Sequence, residues 1–224
     1  PRLMHKRIIV TVHGLDWQRA KWGNFASKVI LCGEKQAVRN ADEIIVLSHN
    51  VQKYFMDTYG RKTVYIPNGI TRPAPVSAKM ITERFGLTEK GYFLFLARLV
   101  PEKGIHYLIK AYKEVKTDKK LVIAGGASQA ADYMEQIHKM AEKDKRVIFT
   151  DFVQGQMLEE LYSNAYAFVL PSDVEGMSVS LLEAMSYGCQ YLVSDIEENA
   201  EVVGEFGTKF EKGNVAGLES QMSQ

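Results

Sequence analysis

Cysteine, proline and one-signed charge are all scarce in this sequence. Two cysteines in 224 residues, Cys32 and Cys189, are too few and too far apart for a disulfide framework, and neither sits in a metal-ligand or redox motif. A reducing, cytoplasmic setting is expected. No apolar run approaches the ~20 residues that span a bilayer and no signal peptide opens the sequence, while a peripheral contact at the inner face of a membrane stays open. Excess charge of one sign is missing too. The 28 Lys and Arg face 27 Asp and Glu, a formal net charge of +1, so no global field attracts nucleic acid. There is no low-complexity tract, no short-period repeat, no Walker loop and no complete GxGxxG fingerprint.

What is present is alternation. Apolar runs of strand length at Ile8 to Val12, Glu43 to Leu47, Val64 to Ile66, Tyr92 to Ala97, Lys120 to Ala124, Val147 to Thr150, Ala167 to Leu170 and Tyr191 to Ser194 are separated by segments of helical period. That pattern predicts an α/β protein with mostly parallel sheets. Ile105, Leu108, Ile109, Tyr112 and Val115 form one core-facing helical stripe, and Met134, Ile137, His138 and Ala141 a second. Prolines and turn residues from Pro67 to Pro75 interrupt the alternation. The expected organisation is a partial first domain over 1–68, a hinge over 69–75 and a nearly complete second domain over 76–224. The opening at Pro1, a few residues before a strand, reads as a cut through a larger protein.

The richest stretch is Pro171 to Gly188. Glu175 falls in a loop just past an apolar strand, Gly176 permits close backbone approach, Ser178 is a natural N-cap, and Glu183 lies inside the following helix, which Gly188 stops. Loops at the carboxyl ends of parallel strands are where such sheets bind ligands. Two carboxylates there suit the hydroxyls of one polyhydroxylated ligand, and a free helix N-terminus between them suits an anion. On spacing alone, solvated helix charges are the simpler account, since two glutamates eight apart arise easily by chance. Arg98, at the end of a strand, and Lys103, before the next helix, lie at the same edge and suit a diphosphate, although two water-exposed loop cations are the plain alternative. Gly125 and Gly126 make a strand-to-helix turn, and for Gly126 a tight turn without a ligand is the simpler expectation.

The ordered set Ile66-Pro67-Asn68-Gly69-Ile70, Ala97-Arg98-Leu99, Glu102-Lys103-Gly104, Ala124-Gly125-Gly126, Glu175-Gly176, Leu182-Glu183-Ala184-Met185, Val193-Ser194-Asp195 and Val202-Val203-Gly204 resembles the donor-binding half of the family 4 retaining glycosyltransferases. The resemblance covers about Tyr65 to Leu218. It implies a GT-B fold of two Rossmann-like domains, the first one incomplete here, and transfer of a sugar from a nucleoside diphosphate, UDP-, GDP- or dTDP-linked, to an acceptor hydroxyl with retention. It further implies no metal or other cofactor. Arg98 and Lys103 would hold the diphosphate, Glu183 the ribose, Glu175 the transferred sugar, with the amides of Gly176, Met177 and Ser178 beside it; Gly125, Phe152 and Val153 would lie near the nucleotide. Gln190 stands where the family usually has proline.

Thr11-Val12-His13-Gly14-Leu15-Asp16-Trp17 through Gly23 is similar to a bacterial subgroup, rhamnosyltransferase-like enzymes included, that builds exopolysaccharide, capsule or lipopolysaccharide. His13 is therefore a candidate contact for sugar or acceptor, against the plain reading of a structural histidine. Residues 1–40 carry eight Lys or Arg against two Asp or Glu, with both tryptophans. They suit either a lipid or lipid-linked saccharide acceptor, or packing of Trp17 and Trp22 against missing parts of the first domain. Competing functions are a nucleotide-sugar epimerase of related fold, or a donor-binding fragment with little transfer.

Overall fold

The computed structural model of the chain describes residues 6–15, 17, 23–126 and 131–224. Two compact units emerge: Pro1–Gly69 with Val174–Ser178 and Glu197–Val202, and Ile70–Asp173 with Val179–Ile196 and Val203–Gln224.

In the first unit β1 (Ile9–Val12), β2 (Glu43–Val46) and β3 (Val64–Tyr65) form a parallel sheet in that order, connected through α1 (Asn24–Asn40) and α2 (His49–Tyr59). Its core is small: Leu15, Ala41, Ile44, Val46, Val51 and Phe55, with Trp17 packed against them. Trp17, half-buried, thus packs on residues of this unit. Trp22 lies outside the described residues. Ser48 Oγ caps α2 by accepting from the Val51 N–H at 3.3 Å, and Gly60, at φ 61°, ends it in the left-handed conformation that favours glycine. Glu34 on α1 accepts from the hydroxyls of Tyr54 and Tyr59 at 2.8 and 2.6 Å, tying α1 to α2 by polar bonds.

The second unit is a six-stranded, wholly parallel sheet in the order β6-β5-β4-β7-β8-β9. The strands are β4 (Tyr92–Leu96), β5 (Lys120–Ala124), β6 (Val147–Asp151), β7 (Ala167–Leu170), β8 (Gln190–Ser194) and β9 (Thr208–Phe210). Helices α3 (Met80–Phe85), α4 (Ile105–Glu114), α5 (Ala131–Ala141), α6 (Gln156–Asn164), α7 (Val179–Ser186), α8 (Glu197–Val203, most of it grouped with the first unit) and α9 (Val215–Met222) complete the chain. Every residue of β7 and four of five in β4 and β5 are buried, as near-continuous apolar runs in a sheet covered on both faces require. The α4 stripe is as expected. On α5 the buried residues are Tyr133, Ile137 and Ala141, while His138 is exposed and lays its ring against Phe149 at 4.0 Å, so it is not core-facing. The short strand β9 was not expected, because only Phe210 of Thr-Lys-Phe is buried.

Glu160 on α6 shows how the second unit handles a charge inside its core. Fully buried, its Oε2 accepts from the backbone N–H groups of Lys79 and Ile81 at 2.8 and 3.1 Å, where α3 begins, and its Oε1 from Gln156 at 3.1 Å. Burial works against the charge, but these donors outweigh it and hold the carboxyl below its ordinary range. Among the described residues no helix is long and apolar enough to cross a membrane.

Candidate functional site

The second sheet has one topological switch point. From β4 the chain lays β5 and then β6 to one side, returns to pair β7 with β4 on the other, and continues outward to β8 and β9. Loops leaving the carboxyl ends of β4 and β7 therefore flank the switch point, the usual ligand position in such sheets. The first of these loops carries Arg98, which is exposed, and Lys103, half-buried at the end of a 3-10 turn, Pro101–Lys103, that precedes α4. The second begins at Pro171. They touch: the Asp173 N–H donates to the Glu102 carbonyl at 2.9 Å, and a Cβ added at Gly104, whose φ is 69°, would lie 2.0 Å from the Pro171 oxygen. Only glycine fits beside Lys103.

At the ends of β4, β5 and β6 lies a cavity of about 390 Å³ lined by Leu96, Ala97, Arg98, Gly125, Gly126, Phe152 and Val153. Its floor is backbone. Gly125 has φ 152°, and a side chain there would meet the Ala97 carbonyl at 1.9 Å. Phe152 follows Asp151, itself at a positive φ of 59°, and is 69% exposed, presenting a ring to the opening. A glycine floor, an aromatic wall and a guanidinium at the rim suit a flat ring joined to an anion. Gly126 lines this cavity beside Gly125.

Behind Lys103 stands a polar cluster that sequence reasoning missed. Glu102 is 4% exposed, and neither carboxylate oxygen has a hydrogen-bond partner among the described residues. Neighbouring Asp173 has its carboxyl pushed up, chiefly by burial and further by Glu102, against the pull of Lys212 and His106; the Tyr107 hydroxyl donates to its Oδ2 at 3.4 Å. Burial pushes the His106 imidazole down, and its Nδ1 lies 2.9 Å from the Tyr133 hydroxyl. Glu183 is the fifth residue of α7. Its half-buried carboxylate accepts from the Tyr162 hydroxyl at 2.8 Å.

His13 and the loop Val174–Ser178 belong to the first unit, and there they meet. A Cβ at Gly176 would lie 1.7 Å from the His13 carbonyl, and one at Gly14 would lie 3.2 Å from the Gly176 Cα. The Asn68 N–H and side-chain amide reach Met177 Sδ and the Met177 carbonyl at 3.2 and 3.4 Å. Glu175 and Ser178 are buried and His13 is exposed. The Glu198 carboxyl is pushed up mainly by burial, with Glu175 adding to the effect.

The candidates thus fall into two groups. Arg98, Gly125, Phe152 and Val153 surround one cavity, with Lys103 and Glu183 on a loop and a helix of the same unit but outside that cavity's lining. His13, Glu175, Gly176, Met177 and Ser178 are grouped with the first unit. Asp16, Gln18 to Trp22 and Ala127 lie outside the described residues. Among the described residues no three or more of His, Cys, Asp and Glu are placed to hold a metal ion.

Comparison with known proteins gives this geometry a context. A family model described as glycosyl transferases group 1 matches residues 79–221, and one described as glycosyltransferase family 4 matches residues 1–72. Among curated proteins the chain is similar to O-antigen chain mannosyltransferase B of Escherichia coli, 27% identical over 164 residues, covering 71% of this chain and 42% of the relative. It is also similar to the GDP-mannose-dependent alpha-(1-6)-phosphatidylinositol monomannoside mannosyltransferase of Mycolicibacterium smegmatis, 27% identical over 204 residues, covering 82% and 50%. The matched part thus spans about half the length of these relatives. Among solved structures, Anabaena HepE in complex with UDP and glucose superposes with a TM-score of 0.86 at 20% identity, covering 99% of this chain and 62% of that one. Sucrose-phosphate synthase from Thermosynechococcus elongatus gives 0.82 at 21%, covering 99% and 59%. These likenesses establish a GT-B-type α/β fold.

Proposed function

Because the chain belongs to the glycosyl transferases of group 1, we propose that it binds a nucleoside-diphosphate sugar at the carboxyl edge of the second sheet and serves sugar transfer to a saccharide or lipid-linked saccharide hydroxyl, with retention, in bacterial surface-polysaccharide synthesis. The observation that carries the reading is the switch point between β4 and β7, where one loop carries Arg98 and Lys103, beside the cavity lined by Arg98, Gly125, Gly126 and Phe152.

In this reading the base lies against Phe152 and Val153 over Gly125, and Glu183 accepts from the ribose. Arg98 offers the diphosphate a planar fork of donors and Lys103 a mobile point charge. Transfer breaks the bond between the anomeric carbon and a diphosphate oxygen, and the acceptor oxygen bonds to that carbon as its proton passes to the departing diphosphate. Negative charge grows on the departing diphosphate, so cations placed to receive it favour the transition state over the ground state. Glu175 holds the transferred sugar beside the amides of Gly176, Met177 and Ser178, and His13 contacts sugar or acceptor. No metal is assigned a role. One relative is a GDP-mannose-dependent mannosyltransferase and HepE is solved in complex with UDP and with UDP-glucose, which supports nucleotide-linked hexoses as the donor class.

A thermal-shift screen of UDP, GDP, dTDP and their hexose conjugates tests the reading. A ligand held by the native state at a hundred times its Kd adds about 2.7 kcal/mol of stability. One nucleotide family is expected to raise Tm by several degrees while free nucleosides do not. Identical melting with every nucleotide would remove the donor site.

A further inference from the structure

Glu183 is held from behind. The hydroxyl of Tyr162, on α6, donates to Glu183 Oε2 at 2.8 Å, and among the described residues no other group bonds that carboxylate. Tyr162 is only 1% exposed, so its hydroxyl has no access to water. Its ring is clamped: Tyr187, just past α7, stacks on it at 5.4 Å and 14° between planes, and Phe168 of β7 lies at 6.1 Å. Its backbone is fixed as well, since Cys189 Sγ donates to the Tyr162 carbonyl at 2.8 Å. A phenol so enclosed is a stationary donor. Burial first, and the charge of Glu183 second, push its ionisation far above the ordinary range, which leaves the proton on the tyrosine at any pH the protein meets. The bond occupies one oxygen of the carboxylate and limits where the other can lie.

We propose that Tyr162 is a positioning residue for donor binding: by holding Oε2 of Glu183 it orients the remaining oxygen, Oε1, as the acceptor for the ribose hydroxyls. The inference rests on the reading of Glu183 as the ribose contact. A half-buried glutamate without such an anchor samples several rotamers, and each hydrogen bond it then makes carries the cost of freezing them. The anchor removes that cost in advance.

The decisive measurement is the ratio of affinities for UDP and 2′,3′-dideoxy-UDP, or for the GDP pair if guanosine is the preferred base, by calorimetry on the full-length protein. The wild type is expected to favour the ribonucleotide by about tenfold or more, the scale of one charge-assisted hydrogen bond. Tyr162→Phe, which removes one oxygen and keeps the ring, is expected to shrink that ratio severalfold by weakening the ribonucleotide alone, with dideoxy affinity unchanged. In a Glu183→Ala background the same substitution changes nothing further. Glu183→Asp, which draws the carboxylate away from an intact Tyr162, reproduces the loss and keeps the test open if Tyr162→Phe folds poorly. A folded Tyr162→Phe protein with the wild-type ratio overturns the inference. A wild type that binds both nucleotides equally ends the ribose reading and the inference with it, while failure to bind any nucleoside diphosphate ends the functional reading itself.

Discussion

The two parallel sheets are built from the same kind of unit and differ in how completely they are covered. β1 alternates exposed and half-buried residues, with Ile9 54% exposed, and none of the described side chains of α1 is buried. β4, β5 and β7 are buried almost throughout, and Tyr92, Phe95 and Phe168 have no exposed surface. Coverage decides which sheet can hold loops to a fraction of an ångström. The loops at the switch point leave the well-covered strands, and the contact of Gly104 with Pro171 survives only if β4 and β7 do not shift. Rigid strands make a precise edge.

Equivalent truncations in the two sheets should separate them most widely. Phe95→Ala on β4 empties a fully buried site and is expected to cost about 3–5 kcal/mol in urea unfolding. Ile9→Ala on β1 removes a side chain that water already reaches and should cost less than about 1 kcal/mol. Comparable losses in the two variants would mean that the first sheet is better covered than it looks here.

The next largest effect concerns ligand rather than folding. Arg98→Ala or Lys103→Ala should each weaken nucleoside-diphosphate binding by about 1.5–3 kcal/mol, the range for hydrogen bonds to a charged group, with little change in Tm. Arg98 is exposed, so its truncation leaves no core void. Wild-type affinity in both variants, by calorimetry, would detach the cations from the donor and leave the switch point without its anion partner.

Much of this was legible because the second unit obeys simple periodicities. Val169 and Leu170 declare a buried strand, and Gly125, Phe152 and Val153 follow strand ends, so one edge gathers them without any knowledge of distance. Tyr162 was not legible. It sits on a helical stripe, where a tyrosine reads as core, and its bond to Glu183 spans 21 positions and depends on how α6 packs against α7. Glu102 was hidden for a related reason, since nothing local separates a buried loop carboxylate from a solvated one. β9 escaped because two of its three residues face water and an edge strand needs only one buried side chain. Grouping of Val174–Ser178 with Pro1–Gly69 is likewise a tertiary fact: Gly176 looks like a loop glycine until the His13 carbonyl is seen to occupy the place of its side chain.

Buried charge gives a smaller contrast with a sign that can be worked out. Glu160 has its folded pKa held below the unfolded value of 4.5. Its contribution is therefore present above that value and is lost as pH falls through the lower, folded one. Glu160→Gln keeps the shape and an acceptor but loses the charge, and should cost about 1–2 kcal/mol at pH 7. As pH falls through the lowered folded value the wild type and variant should converge. Urea midpoints taken from pH 3 to pH 7 read this directly, and a difference that stayed constant across the range would show that the charge is not what α3 uses.

Glycine supplies the smallest effect, and its sign depends on the position. Gly104 and Gly125 have backbone oxygens within about 2 Å of any added Cβ, so alanine at either forces strand ends apart. Gly33, in the middle of α1, has nothing within 4 Å of that position, and its backbone is helical. Alanine there should stabilise α1 by up to about 1 kcal/mol, the difference in helix propensity, because the unfolded chain loses freedom and no contact is disturbed. Hydrogen exchange is the suitable probe, since α1 buries none of its described side chains and its amides should open locally before those of β4. Gly33→Ala should slow exchange along α1 and leave β4 and β5 unchanged. Faster exchange in α1 would mean that the open face of the helix at Gly33 is covered by something that needs the glycine.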